Sequence, residues 1–309
     1  MKPVMLAIVG DSAAGKTTFA DGIMQLLGVD RVATVCTDDY HRYDRVQRKE
    51  LDITPLDPAC NYMDVLAQHL RLLADGEPIL KPVYQHGDGT FGAPQYVVAR
   101  RFMIMEGLLA LHTRAMRDGF SVRVYLDPPE DLRRTWKVQR DCAKRGYAPD
   151  QVLAEMERRE PDSAAFIRPQ RRNADIVVRF QPPDGQLDSA RLSVRMALRP
   201  TISHQDLVEV AEEAMAAGCG SIGLTLERDE GMPVDLLTVA ADISPEETSQ
   251  IESLLWKRMD FDHHLERDDI GLFVEGNRCK HSDSLAIAQL FIAYHLLEEA
   301  GGPGGRSGG

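Results

Sequence analysis

The sequence predicts an α/β fold, a mostly parallel β-sheet flanked by helices, with a smaller α+β unit after it. Three observations carry that expectation. Short apolar runs alternate with helix-length stretches through roughly the first 180 residues, the alternation that a parallel sheet with helical crossovers requires. The first run, Val4-Met5-Leu6-Ala7-Ile8-Val9, is apolar at every position and ends at Gly10, as a strand buried on both faces should. The pattern then changes after the breaker cluster Gln181-Pro182-Pro183-Asp184-Gly185, where a boundary is expected.

Further strands are expected over 31–37, 102–105, 122–126 and 176–180, with helices over 61–73 and 132–144. Beyond the boundary the sequence suggests a strand over 191–198, a helix over 205–217, strands over 221–227 and 236–240, and a helix opened by Ser244-Pro245-Glu246-Glu247. That tetrapeptide is a capping box with proline at the first helical position. A last helix, 283–299, is apolar around much of its circumference; burial in its own domain or against a second copy would each explain it. The expected organisation is therefore a domain over 1–180, a small α+β domain over 186–300, and a flexible Gly-rich tail over 301–309. The stretch 260–269, DFDHHLERDD, lacks convincing metal-ligand spacing and is taken as a polar loop.

The chain of 309 residues is 43% hydrophobic, enough for a substantial core. A net charge of −12 argues against nucleic-acid or anionic-membrane partners, so an anionic ligand needs a local basic cluster. No apolar run is long enough to cross a bilayer, and the N-terminus enters a Gly-rich loop before any signal-type cleavage site. The five cysteines are scattered without a C-x-x-C pair; free thiols and a cytoplasmic location are expected.

Between the first strand and an amphipathic helix lies Gly10-Asp11-Ser12-Ala13-Ala14-Gly15-Lys16-Thr17-Thr18, which fits the phosphate-loop pattern G-x-x-x-x-G-K-[ST] in its required context. Backbone N–H groups of such a loop face phosphates, Lys16 reaches the β/γ oxygens, and Thr17 offers a hydroxyl to Mg²⁺. ATP or GTP, with Mg²⁺, is the expected ligand.

The acceptor is narrowed by charged residues at other strand ends. Glu106 closes the strand MIME and is placed to join the Mg²⁺ shell, a surface or helix-capping carboxylate being the plainer alternative. In TDDYHRYDR, 37–45, Asp38 is nominated as the base that takes the acceptor's proton, with Asp39 as alternative, because adjacent carboxylates point differently. His41 and Arg45 are placed to meet an anionic acceptor. Arg42 either shares that task or faces water. Tyr84 and His86, two apart in KPVYQH, would share a face in an extended segment and either line the acceptor pocket or form a buried pair. Lys137, Arg140 and Lys144 fall on one helical face, with Arg145 beyond. In a chain this acidic they read as a lid over phosphates rather than a solvated face.

With these residues assembled, the chain resembles the phosphoribulokinase and uridine kinase family. The resemblance runs through GDSAAGKTTF, CTDDYHRYDR, TPLDPACNYMD, KPVYQH, MEGLLALH, VYLDPPEDLRRTWKVQRDCAKRGY and RREPDSAAFIRPQRRNADIVV. It is dense over the first 180 residues and weaker beyond them. It implies a P-loop kinase that phosphorylates D-ribulose 5-phosphate to D-ribulose 1,5-bisphosphate with ATP, the Calvin-cycle reaction of the family. It also implies Lys16 and Thr17 for the nucleotide, Asp38 as base, and Glu106 as metal-associated carboxylate. His41 and Arg45 would bind the sugar phosphate, with Lys137, Arg140 and Arg145 in the closing segment; Asp141 matches an acidic position of the same motif without an assigned role. Plant-type members are switched off by a disulfide between a P-loop cysteine and the cysteine before the Asp-Asp pair. Here Cys36 matches the second, but Ala14 stands at the first, so that switch cannot form. A kinase acting on uridine or another sugar, and a nucleotide-sensing regulator without transfer chemistry, remain the alternatives. Self-association through the apolar last helix is also open.

Overall fold

The computed structural model describes residues 2–183, 191–258, 270–275 and 278–301, apart from the Lys144 side chain. The polar stretch 260–269, the end of the breaker cluster and the tail beyond 301 lie outside the described residues.

Eight strands form the main sheet: β1 (Val4–Val9), β2 (Val32–Cys36), β3 (Phe102–Gly107), β4 (Val122–Leu126), β5 (Ile176–Gln181), β6 (Ser193–Leu198), β7 (Ile222–Asp229) and β8 (Met232–Val239). Their spatial order is β7-β8-β6-β5-β4-β1-β3-β2. The five strands β1 to β5 run parallel, and β6, β8 and β7 continue the sheet antiparallel. The chain thus winds out from β1 on one side and returns on the other, a topological switch point whose carboxyl edge is the natural ligand crevice.

Helices α1 (Lys16–Leu27), α2 (Arg45–Glu50), α3 (Met63–Ala74), α4 (Glu130–Arg145), α5 (Pro149–Asp162), α6 (Gln205–Ala216), α7 (Pro245–Arg258) and α8 (Asp283–Gly301) complete the frame, with a few single turns between. The two-residue period of a strand divides the core. Leu6, Ile8, Ile104 and Val124 pack with α1, α6, α7 and α8 on one face. Met5, Ala7, Val9, Met103 and Met105 pack with Leu66, Leu70 and Leu73 of α3 on the other. Burial on both sides explains why β1 reads as an unbroken apolar run.

The strands β6, β7 and β8 do not form a sheet of their own. β6 pairs with β5 from Ser193↔Gln181 to Leu198↔Ile176, so β6, β8 and β7 extend the parallel sheet as an antiparallel edge, a common arrangement in α/β proteins. The small ladder Leu272–Glu275 with Arg278–His281 lies outside it. α8 is buried within the same chain: Leu285 through Leu296 are nearly inaccessible, packed against α1 and the sheet. The apolar circumference that suggested self-association has its partner inside the molecule.

Candidate active site

The phosphate loop leaves β1 and turns into α1 at Gly15, whose φ of +90° is the left-handed conformation glycine adopts without penalty. Ala13 is also left-handed at φ +66°; successive turns of this kind present N–H groups to an anion. Lys16 Nζ donates to the Gly10 and Asp11 carbonyls at 3.0 and 2.9 Å, folded over the loop. The Asp11 side chain braces the loop. Its carboxylate accepts from the Ser12 N–H at 2.7 Å and from Ser163, and Arg133 lies 3.7 Å away. The Thr18 carbonyl accepts from Gln289 of α8 at 3.1 Å.

Parallel pairing places Glu106 beside Ile8 on one side and Cys36 on the other, at the carboxyl ends of β1 and β2. Thr17 Oγ1 donates to Glu106 Oε1 at 3.1 Å. Burial, together with the charge of Asp38, raises the Glu106 carboxyl above its ordinary range against the pull of Lys16. Among the described residues no group of three or more His, Cys, Asp or Glu side chains could hold a metal ion. A hydroxyl beside one carboxylate at a phosphate loop is the sparse donor set that suits Mg²⁺, which keeps waters and binds substrate phosphates.

TDDY forms a single 3₁₀ turn, Thr37–Tyr40, directly after β2, and this turn sends the two aspartates different ways. Asp39 accepts from Lys81 and from the Tyr84 N–H at 2.9 Å. Its partner Lys81 is buried. Asp38 Oδ2 lies 3.8 Å from His86 Nε2. Burial alone would raise the Asp38 carboxyl, but the charges of His41, His86, Lys16 and Arg140 outweigh it and hold it below the usual carboxylate range. A carboxylate so held is ionised at neutral pH.

Around it stand the expected acceptor residues. His41 is only 3% exposed; its Nδ1 bonds Asn61 Oδ1 at 2.7 Å while the Asn61 amide donates to the Pro55 and Asp57 carbonyls. Because Asn61 Oδ1 can only accept, His41 Nδ1 carries the proton. Tyr84 is buried edge-on between His41 and His86, with ring centroids 4.9 and 5.1 Å away. It does not hydrogen-bond His86; its hydroxyl accepts from Arg48 Nη2 at 2.5 Å. Burial lowers both histidines, which stay mostly neutral at pH 7. Arg45 Nη2 donates to the His86 carbonyl at 2.6 Å, joining α2 to the 84–91 hairpin. Arg42 is exposed over the Tyr62 ring.

Of the cations expected on α4, Lys137 is buried, Arg140 is half-buried and Arg145 is exposed, while the Lys144 side chain lies outside the described residues. Lys137 is 4% exposed, bonded to Ser12 Oγ at 3.1 Å and paired with Asp141 at 2.9 Å. Burial and the charge of Arg140 push its ammonium down to about 7 against the pull of Asp141. Asp141 also receives Arg140 Nε at 2.9 Å and lies 3.5 Å from Arg145. One carboxylate thus gathers three cations beside the phosphate loop. Lysine 81, Arg48, Asn61 and Arg133 escaped the sequence reading as site residues. Their partners lie elsewhere in the chain, 42 residues away for Lys81 and 121 for Arg133, and no local spacing marks them.

The model of the phosphoribulokinase / uridine kinase family matches residues 5–184, more than half of the chain. The chain belongs to that family. A phosphoribulokinase of Synechocystis sp. is 37% identical over 179 residues, 58% of this chain and 54% of that protein. The chloroplastic phosphoribulokinase of Arabidopsis thaliana is 30% identical over 231 residues, 68% of this chain and 58% of that one. A uridine kinase of Shewanella piezotolerans is 32% identical over 183 residues, 57% of this chain and 86% of that kinase. The chain spans a little over half the length of the phosphoribulokinases it matches. Among solved structures, a phosphoribulokinase from Rhodobacter spheroides superposes with a TM-score of 0.59 at 17% identity, covering 83% of this chain and 97% of that one. At that identity the likeness is one of fold. It supports the P-loop kinase architecture, with a mostly parallel sheet between helices. No helix among the described residues is long and apolar enough to cross a membrane.

Proposed function

We propose that this chain is a phosphoribulokinase: it transfers the γ-phosphoryl group of ATP to D-ribulose 5-phosphate, giving ADP and D-ribulose 1,5-bisphosphate. The supporting observation is that an ionised carboxylate, Asp38, stands among basic groups from separate elements: Lys16 of α1, Arg140 of α4, and the histidines His41 and His86. A neutral acceptor has no use for so many basic groups around one base, whereas an acceptor that already bears a phosphate does.

In this reading the loop N–H groups and Lys16 hold the β- and γ-phosphates. Asp38 takes the proton of the acceptor hydroxyl as that oxygen forms its bond to the γ-phosphorus and the bond to the β-phosphate oxygen breaks. Asp39 is committed to Lys81 and Tyr84, which favours Asp38 over it. Arg45 and His86 receive the acceptor's phosphate; His41 and Tyr84, both buried, shape the pocket wall behind them. Thr17 and Glu106 would hold Mg²⁺, which supplies neutralisation of charge on the phosphates. Lys137, Arg140 and Arg145, held together by Asp141, meet the charge that develops on the transferred group. The proposal includes a cytoplasmic place in carbohydrate metabolism.

A uridine kinase reading has one finding in its favour, the 86% of a uridine kinase that the chain spans. ADP release measured in parallel with ribulose 5-phosphate, with uridine and without acceptor separates the cases. Turnover with ribulose 5-phosphate alone is expected; turnover only with uridine, or equally without acceptor, overturns the proposal.

A further inference from the structure

Two consecutive residues, Asp162 and Ser163, hold the two sides of the site. Asp162 ends α5, and Ser163 opens the single π turn that follows it, Ser163–Ile167. Pro161, just before them, has no N–H for the helical ladder, and widened turns of this kind recur at functional sites. Ser163 is buried and donates its hydroxyl proton to the carboxylate of Asp11 in the phosphate loop. Asp162 Oδ2 accepts from Thr54 Oγ1 at 2.6 Å. The two partners lie 152 and 108 residues away in the chain, on the donor and acceptor sides respectively.

Each contact leads on to a group with a role in the proposed reaction. On the donor side the Asp11 carbonyl accepts from Lys16 Nζ at 2.9 Å. On the acceptor side the buried Thr54 hydroxyl accepts from the Leu56 N–H at 3.2 Å, and the Thr54 carbonyl accepts from the Asp57 N–H at 3.2 Å, which fixes the turn over 54–57. That turn supplies the Pro55 and Asp57 carbonyls on which the Asn61 amide rests, and Asn61 orients His41, whose charge acts on Asp38. The π turn is itself firmly seated. Buried Gln170, just beyond it, accepts from the Leu111 N–H at 2.9 Å and donates to the Leu108 and Phe166 carbonyls at 2.7 and 2.9 Å. Ile167 packs with Leu56, Leu108 and Leu109 in a small apolar cluster just past Glu106.

We propose that Asp162 and Ser163 are positioning residues that set the register between the acceptor hydroxyl and the γ-phosphate, by tying the turn over 54–57 and the phosphate loop to one anchored π turn. This role rests on the kinase reading proposed above and adds to it the device that aligns its two halves. Neither side chain touches a substrate in it. In-line transfer is sensitive to such alignment, since a misplacement of about 1 Å can cost about 10²-fold in rate. Two links in series have a signature of their own: breaking either one releases the register, and breaking the second adds nothing. Two separate braces, each supporting its own loop, would multiply their effects instead.

The test is steady-state ADP release by the full chain with ATP and ribulose 5-phosphate, for Ser163→Ala, Thr54→Val and the double variant. Both changes are small, one removing an oxygen and the other exchanging a hydroxyl for a methyl group. Each single variant is expected to lose about tenfold in kcat, with both KM values within about twofold of the wild type. The double variant is expected to lose about tenfold as well, against the roughly hundredfold of independent effects. Thr54→Ser keeps the hydroxyl and should keep kcat near the wild type, while Asp162→Ala breaks the same link from its half-buried end and should match Thr54→Val. An unchanged kcat in either single variant, a multiplicative loss in the double variant, or a loss that Thr54→Ser shares overturns the positioning role while wild-type turnover keeps the kinase reading in place. Absence of wild-type turnover with ribulose 5-phosphate overturns that reading and the positioning role with it.

Discussion

Lys81 and Asp39 form a buried ion pair, and this pair separates the roles of two adjacent aspartates. Asp39 is consumed by structure, since it also anchors the Tyr84 N–H. Removing it by Asp39→Ala leaves the Lys81 ammonium buried without its counter-charge, which costs about 3–5 kcal/mol. The expected result is a clear drop in denaturation midpoint. Asp38→Asn keeps the shape of the side chain and should cost less stability than Asp39→Ala, while lowering kcat by about 10²-fold or more with ATP affinity retained. Equal loss of activity and stability in both variants would remove the distinction.

Glu106 illustrates the tension between site and stability. Burial and Asp38 raise its folded pKa, so the folded state holds this proton to higher pH than the unfolded state does. Stability from this group is therefore lost as pH rises through that window. Glu106→Gln should accordingly raise the melting temperature of the ligand-free protein near neutral pH, while increasing the Mg²⁺ concentration needed for half-maximal activity. For the wild type, that Mg²⁺ requirement should grow as pH falls, because protonated Glu106 is a poorer donor. A requirement that stays constant as pH is lowered through the range in which Glu106 takes up its proton would place the metal elsewhere.

How much of this was legible beforehand depends on sequence distance. The phosphate loop, the strand ends at Glu106 and Asp38, and the cluster on α4 are local patterns, and all of them meet at one sheet edge. The division of labour between Asp38 and Asp39 was not readable, because it depends on Lys81 and on a 3₁₀ turn one residue after β2. Nor was the course of residues 193–239, whose alternation fits an independent sheet as well as an edge added to an existing one. Only the pairing partner of β6 distinguishes those two outcomes. Helix α5, with arginines and glutamates throughout, has too weak an apolar stripe to be noticed.

Arg45 ties α2 to the segment carrying His86, and its guanidinium already donates to the His86 and Gly87 carbonyls. In the proposed reading, Arg45→Ala removes a charge-assisted contact to the acceptor's phosphate, worth about 1.5–3 kcal/mol. The KM for ribulose 5-phosphate should rise by about tenfold or more, with a smaller change in that for ATP. An unchanged sugar-phosphate KM would limit Arg45 to fastening the hairpin.

Lys137 should shape the pH dependence of stability. Its ammonium is pushed down from 10.5 to about 7, so between those values the unfolded chain binds a proton that the folded chain lacks. Stability from this group then increases as pH rises from about 7 towards 10. Lys137→Met should flatten that increase in urea titrations, and Asp141 keeps Arg140 and Arg145 as partners in the variant. A slope unchanged by the substitution would show that Lys137 is an ordinary charged lysine.

Cys36 sits between Asp38 and Glu106 at the end of β2, where a redox switch is the obvious suspicion. Two features oppose it. The loop position that would supply a partner thiol is Ala14, buried completely. Burial and the negative charges of Asp38 and Glu106 raise the Cys36 thiol well above its ordinary range, so the reactive thiolate is scarce at neutral pH. Oxidised dithiol should leave turnover unchanged over a period that inactivates an enzyme with a vicinal cysteine pair, and Cys36→Ser should behave as the wild type does. Reversible inhibition by oxidised dithiol, lost in Cys36→Ser, would demand a second thiol within reach.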